Sequence, residues 1–278
     1  MQGSLELTEA RSPYDQFNVE GFGIGVTGAS GFLGKAMVKQ LVGNGAVVCI
    51  IGRNLDSLKA LDSECVGLKG KVLIQSGSIA SLKTIDSAVE KILDATGHLS
   101  GWVNNAYEPI PISGPLDATS EELNHYMEAL TSTIQATQYV AKVMIKNPPI
   151  STLQKSIMNS ASMYGHVAPR LDIYEQNPHL QNPPGYGVLK AGMIQHTKYC
   201  AVNLGKFGIR VNSISPGPFP GTGAQAITPF IDNLQRHSPL NRIGKPEELA
   251  GVVQFLLSSA SSYITGSDIA VDGGWRSW

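Results

Sequence analysis

The sequence predicts an α/β architecture built on one doubly wound parallel sheet with helices on both faces. Three observations carry that expectation. Short apolar runs alternate with stretches of helical periodicity, a glycine-rich turn joins the first run to the first helix, and 278 residues suit one large sheet without demanding a second domain.

Residues 1–20 are polar and lack both the basic start and the apolar core of a secretory signal. They read as a leader, with 21–278 as one domain and the cytoplasm as the expected location. Residues 22–27 are a short apolar run, too brief for a helix, and form the first buried strand. From Gly34 onward, Met37, Val38, Leu41 and Val42 recur at helical spacing, and Asn44-Gly45 supplies the stop. A second strand follows at 47–51, a short helix at 55–61, a third strand at 72–74 and a helix over 85–93. Next come a strand at 102–103, a long helix over about 121–144 and a strand at 157–158. The last elements are a helix over about 186–204, a strand at 209–214, a helix after Pro246 and a strand at 268–271. Strict alternation of this kind implies right-handed crossovers and parallel strands. The stretch 216–245, rich in Pro and Gly, reads as a mobile flap.

Composition excludes several functions. The formal charge is -1 and no Lys/Arg-rich block exists, so the electrostatic footprint of a nucleic-acid binder is missing. No apolar run is long enough to span a bilayer. Cys49, Cys65 and Cys200 are scattered, and no Cys-x-x-Cys or His-x-x-x-His spacing suggests a metal or a disulfide framework. A small molecule is the expected partner.

Two segments point to the kind of small molecule. Thr27-Gly28-Ala29-Ser30-Gly31-Phe32-Leu33-Gly34 lies between the first strand and its helix, where glycines let backbone N–H groups approach a pyrophosphate at a helix N-terminus. Gly28, Ser30, Gly31, Phe32, Leu33 and Gly34 are therefore candidate dinucleotide contacts. At the end of the second strand, Ile50-Ile51-Gly52-Arg53-Asn54 has no carboxylate to bond a ribose 2′-hydroxyl. Arg53 offers a charged fork for a 2′-phosphate and Asn54 a neutral donor, so NADP(H) is expected over NAD(H), which stays possible.

A third segment supplies chemistry. Tyr186-Gly187-Val188-Leu189-Lys190 opens a predicted helix, and spacing of four puts phenol and ammonium on one face. A lysine charge beside a phenol favours phenolate and is expected to bring the Tyr186 pKa down from about 10.

These motifs, with Asn104-Asn105-Ala106, Ile157-Met158-Asn159-Ser160-Ala161-Ser162, Arg210-Val211-Asn212-Ser213, Pro216-Gly217-Pro218 and Val271-Asp272-Gly273-Gly274, resemble the short-chain dehydrogenase/reductase family in its short form. The resemblance spans 23–274. It implies a Rossmann fold of about seven strands in the order 3-2-1-4-5-6-7, NAD(P)-dependent hydride transfer to or from a secondary alcohol or ketone, and a homodimer or homotetramer paired through the long helices. It makes Tyr186 the general acid/base, Ser162 the hydroxyl that orients and stabilises the substrate oxygen, and Lys190 the residue that tunes Tyr186 and holds the nicotinamide ribose. Ser78, Ile79, Asn105, Ala106, Pro216 and Gly217 join the implied cofactor contacts.

The chain departs from that pattern in places. Phe32 stands where the short form has glycine, with Gly31 in the place seen in the longer epimerases. Ala129 replaces an asparagine of the family's proton relay, Ser78 an aspartate and Tyr107 a glycine. Twenty-three residues separate Ser162 from Tyr186, more than the family's usual connection. Tyr107, with Tyr164 and Arg170 from that insert, are the substrate candidates. The motif from Tyr164 to Arg170 is similar to bacterial carbohydrate and surface-glycan dehydrogenases, which implies a sugar-like or polyol substrate. The alternatives are a reductase of apolar carbonyls, 3-oxoacyl or steroid-like, and a cofactor-sensing protein without chemistry.

Overall fold

The structure, a computed structural model, describes residues 16–107, 116–147 and 155–277. Three βα units open the chain: β1 (Gly23–Thr27) and α1 (Phe32–Gly43), β2 (Val47–Gly52) and α2 (Leu55–Glu64), then β3 (Lys71–Ser76) and α3 (Leu82–Thr96). Next are β4 (Gly101–Asn104), α4 (Ser120–Lys146) and β5 (Lys155–Ser160). A 3-10 turn (Met163–Gly165) and a short helix, α5 (Leu171–Tyr174), precede α6 (Pro184–Leu204) and β6 (Ile209–Pro216). The chain then passes through α7 (Thr222–Gln225), α8 (Thr228–Arg236), α9 (Pro246–Leu257) and β7 (Asp268–Val271).

The seven strands form one parallel sheet in the order β3-β2-β1-β4-β5-β6-β7. The order reverses direction between β1 and β4, and it is at such a switch point that a crevice opens beyond the strand ends. Both faces are covered. On one, Met37, Val38 and Leu41 of α1 meet Leu249, Val253 and Leu256 of α9; on the other, Ile85, Val89 and Ile92 of α3 and Val140 and Met144 of α4 close over Trp102. Truncating a fully buried leucine such as Leu41 in a core of this kind costs about 2–5 kcal/mol.

Polar residues hidden inside the sheet explain why periodicity alone shortened several strands. Trp102 Nε1 donates to Asn104 Oδ1 at 2.9 Å, Asn104 Nδ2 donates to Thr137 Oγ1 at 3.0 Å and to Asn159 Oδ1 at 2.8 Å, and Asn159 Nδ2 donates to Thr197 Oγ1 at 2.8 Å. This ladder ties β4 and β5 to α4 and α6 directly beneath the crevice. It satisfies groups that would otherwise be buried at a cost, and it fixes the strand ends on which the site stands.

Two expectations need correction. Residues 16–20, assigned to the leader, pack onto the domain: Val19 is fully buried, the Phe17 ring lies 6.1 Å from that of Phe255, and Gln254 Nε2 donates to the Phe17 carbonyl. Residues 1–15 lie outside the described residues. The 216–245 stretch contains two helices, with Phe230 and Leu234 of α8 buried at i, i+4 spacing.

Candidate active site

The glycine turn fills the first side of the crevice. Gly28 adopts φ +63°, and a Cβ there would stand 2.7 Å from Ala106 Cα; a Cβ on Gly34 would stand 2.3 Å from the Gly28 carbonyl oxygen. Both positions therefore exclude side chains, the first also by conformation. Gly31 is the N-cap of α1 and brings no capping side chain, and no acidic residue occupies the first turn. The N–H groups there have no intrahelical acceptor and would meet an anion without repulsion from an acidic side chain. The residues present fit a dinucleotide pyrophosphate.

Asn105 locks this turn to β4. Its backbone N–H donates to Thr27 Oγ1 at 2.9 Å and its side-chain amide to the carbonyls of Thr27 and Gly28 at 3.2 Å. Ala106 N–H also donates to Thr27 Oγ1. On the opposite wall Gly217, where a Cβ would meet Asp272 Cα at 2.5 Å, donates its N–H to the Val271 carbonyl.

At the end of β2, Arg53 is exposed, and the Ser30 hydroxyl lies 3.7 Å from where a Cβ on Gly52 would sit. Asn54 differs from expectation. Its side-chain oxygen accepts from Ser57 N–H at 2.9 Å and caps α2. An asparagine directly before a helical run was a readable capping signal, since any residue but proline at position 57 supplies the backbone N–H. Ser78 is exposed beyond β3, where its hydroxyl accepts from Ala80 N–H, and Ile79 packs against the α3 side of the core.

Ser162, Tyr186 and Lys190 come together. Ser162 follows β5 and is buried, Tyr186 and Lys190 project from the first turns of α6, and Ser162 and Tyr186 share a side-chain hydrogen bond. Lys190 Nζ donates to the Ser160 carbonyl at 2.7 Å and stands 5.6 Å from the Tyr186 ring centre. Tyr107 closes the group: its ring lies edge-on to Tyr186 at 5.1 Å, with Lys190 Nζ 5.5 Å from its centre. Ala129 packs here against Tyr126, Leu189 and Met193.

The electrostatics reverse one expectation. Burial raises the Tyr186 pKa above its ordinary value, and the hydrogen bond from Ser162 only partly counters it. Burial also lowers Lys190 to about 8. The lysine charge is spent on the Ser160 carbonyl, and desolvation governs both groups.

These residues line one cleft of about 300 Å³, at the small end of ligand pockets. Part of its wall is apolar or aromatic, with Met163, Tyr164, Tyr174, Leu180, Phe219 and Phe230, while Asn105, Ser162 and Asn182 give it polar points. Lys190 is the one charged side chain lining it among the described residues. Of the three substrate candidates, Tyr107 and Tyr164 line the cleft, whereas Arg170 is outside it. It is exposed and paired with Asp172 at 3.2 Å, and Asp172 in turn meets His237 at 3.4 Å. The carboxylate two residues away was the local signal that Arg170 had a partner. Phe219, Phe230 and Leu234 were missed because the flap was read as irregular.

A family model described as enoyl-(acyl carrier protein) reductase matches residues 25–276. The chain belongs to the short-chain dehydrogenase/reductase family. It is accordingly an NAD(P)-dependent oxidoreductase. Similar proteins include the 3-oxoacyl-[acyl-carrier-protein] reductase FabG of Thermotoga maritima, 33% identical with 90% of this chain and 95% of that protein covered. A cyclohexanol dehydrogenase of Acinetobacter sp. is 30% identical, covering 91% and 94%. Among solved structures, a short-chain type dehydrogenase/reductase from Mycobacterium marinum superposes with a TM-score of 0.84 at 30% identity, covering 95% of this chain and 99% of that one. Within this short-chain dehydrogenase/reductase, no described helix is long and apolar enough to cross a membrane.

Proposed function

We propose that this protein interconverts a ketone and a secondary alcohol on a compact, largely apolar substrate, exchanging a hydride with NADP(H). The observation that carries the substrate class is the cleft wall, small and aromatic, with Lys190 as its one charge among the described residues. A substrate with hydroxyls on every side would turn some of them against Phe219, Phe230 and Leu234, which offer no partner, and that is costly. The similarity to a cyclohexanol dehydrogenase supports the same choice.

In this reading the nicotinamide, when bound, supplies or accepts the hydride at the reacting carbon. Gly28, Gly31, Gly34 and Asn105 shape the pyrophosphate site, Arg53 and Ser30 take a 2′-phosphate, and Lys190 with Tyr186 holds the ribose. The Ser162 hydroxyl donates to the substrate oxygen as charge develops on it. Tyr186, held protonated by burial, gives its proton to that oxygen during reduction and takes it back during oxidation.

A panel of ring and short-chain ketones against sugars, each with NADPH and NADH, tests both halves. Neutral ketones are expected to turn over, with kcat/KM favouring NADPH by about tenfold to a hundredfold, the worth of one charge-assisted pair. Turnover confined to sugars would overturn the substrate class, and an NADH preference surviving Arg53→Ala would overturn the cofactor. Cofactor binding with no turnover on any compound would favour a sensor.

A further inference from the structure

We propose that the paired phenols of Tyr164 and Tyr174 form a second hydrogen-bonding point for the substrate, selecting neutral compounds with a further oxygen acceptor remote from the reacting carbon. The inference rests on the carbonyl reading of this cleft and adds a specificity device built from the insert.

Tyr164 belongs to the 3-10 turn that starts at Ser162, and its backbone N–H donates to Ser162 Oγ at 3.2 Å. Tyr174 arrives from α5 and packs on Phe230 of α8, the ring centres 5.6 Å apart. The two hydroxyl oxygens are 2.5 Å apart, while the residues are only 6% and 4% exposed. Both line the cleft with Ser162 and Tyr186. Burial pushes both phenols up, so each keeps its proton.

Proton counting then gives the function. Two phenols carry two donor hydrogens, and the bond between them uses one. The neighbours packed around the pair, Met163, Ile173, Phe230, Leu234 and Trp275, have no side-chain oxygen, Tyr186 beside them is hydrogen-bonded to Ser162, and neither phenol has another hydrogen-bond partner among the described residues. Trp275 has only a donor of its own. The acceptor for the second hydrogen is therefore the occupant of the cleft. That occupant is neutral at this point, because the one cationic side chain of the cleft among the described residues, Lys190, is bonded to the Ser160 carbonyl and leaves the phenols no charge to balance a carboxylate or phosphate. In a space of about 300 Å³ the second oxygen belongs to the same compact molecule that reacts at Ser162 and Tyr186.

Cyclohexanone and tetrahydropyran-3-one or -4-one make the test, since a ring oxygen replaces one methylene and little else changes. The quantity read is the ratio of kcat/KM, oxa-ketone over cyclohexanone, in the wild type, Tyr164→Phe and Tyr174→Phe. The wild-type ratio for at least one isomer is expected to reach about ten or more, since a site built to bond an oxygen discriminates against its absence. Removing either hydroxyl should bring that ratio down at least about fivefold, toward the value set by intrinsic reactivity. A merely structural role would lower both substrates together and leave the ratio alone. A ratio near one in the wild type, or one unchanged in both variants, overturns the phenol pair while leaving ketone reduction standing. No turnover of any of these ketones removes the carbonyl reading and the phenol pair with it.

Discussion

Lys190 is held in the protein at a cost. Only 4% of it is exposed, and it carries an ammonium whose pKa burial brings from 10.5 to about 8. Below pH 8 both the folded and unfolded chains hold the proton, and the folded state bears the full penalty. Between about 8 and 10.5 the unfolded chain holds it and the folded chain does not, so stability rises with pH across that window. The penalty at neutral pH is roughly 3 kcal/mol. Lys190→Met should therefore stabilise the fold at pH 7 by about 1–3 kcal/mol while removing activity, and the gain should shrink toward pH 10. Urea melts at the two pH values measure it, and a variant less stable than the wild type at pH 7 would refute the account. The position of Lys190 was legible from its spacing to Tyr186, but the direction of its influence was not. Burial is a property of the folded neighbourhood, and a four-residue motif does not contain it. Arg170 shows the converse, a polar side chain that suggested substrate and turned out to serve Asp172.

Among elements, β7 does more than close the sheet. Asp268 at its start is 8% exposed on its side chain, and it accepts from Ser213 Oγ at 2.7 Å and Ser215 Oγ at 2.9 Å on β6. It also meets His166 Nε2 at 2.7 Å and Arg276 Nη1 at 3.2 Å. Burial alone would raise this carboxyl, but the hydrogen bonds from Ser213, Ser215 and His166 hold it below its ordinary value. A lowered carboxyl stabilises above its unfolded value and loses that contribution as pH falls through the folded one. His166 directly follows the 3-10 turn capped by Ser162, so the hub pins the turn that carries the candidate Ser162. Asp268→Ala takes the shared acceptor from Ser213, Ser215 and His166 while Arg276 keeps Asp272, and is expected to destabilise by about 1–3 kcal/mol. At a temperature where the variant stays folded, kcat should fall more than KM changes. An unchanged kcat would show that the turn holds itself. The seven strands were readable because each contains a short apolar stretch bounded by polar or turn residues, and so was the glycine turn. The helices α5 and α7 were not, since four residues are too few to show a period, and α8, whose Phe230 and Leu234 do repeat at helical spacing, lay inside a stretch read from its Pro and Gly content.

At the scale of the molecule, the outer face of α6 shows Val188, Tyr199 and Val202 exposed at 58, 67 and 83%, on one helical side, with Leu123 and Met127 of α4 exposed as well. An apolar stripe of this kind on long helices favours association. We expect a symmetric dimer or tetramer by light scattering at micromolar concentration, and a smaller species for Tyr199→Glu combined with Val202→Glu; a wild-type monomer would refute it. The His166–Asp268 link carries a different consequence, for biosynthesis. The two residues are 102 positions apart in the chain, so at roughly 5–20 residues per second the ribosome needs on the order of ten seconds to pass from one to the other. Throughout that interval the nascent polypeptide has its nucleotide-binding half and its Ser162 turn, but not the carboxylate that fastens the turn. The carboxylate that fastens the Ser162 turn thus arrives late in synthesis, with β7, and the turn is expected to take its final hydrogen bonding only once position 268 has been made.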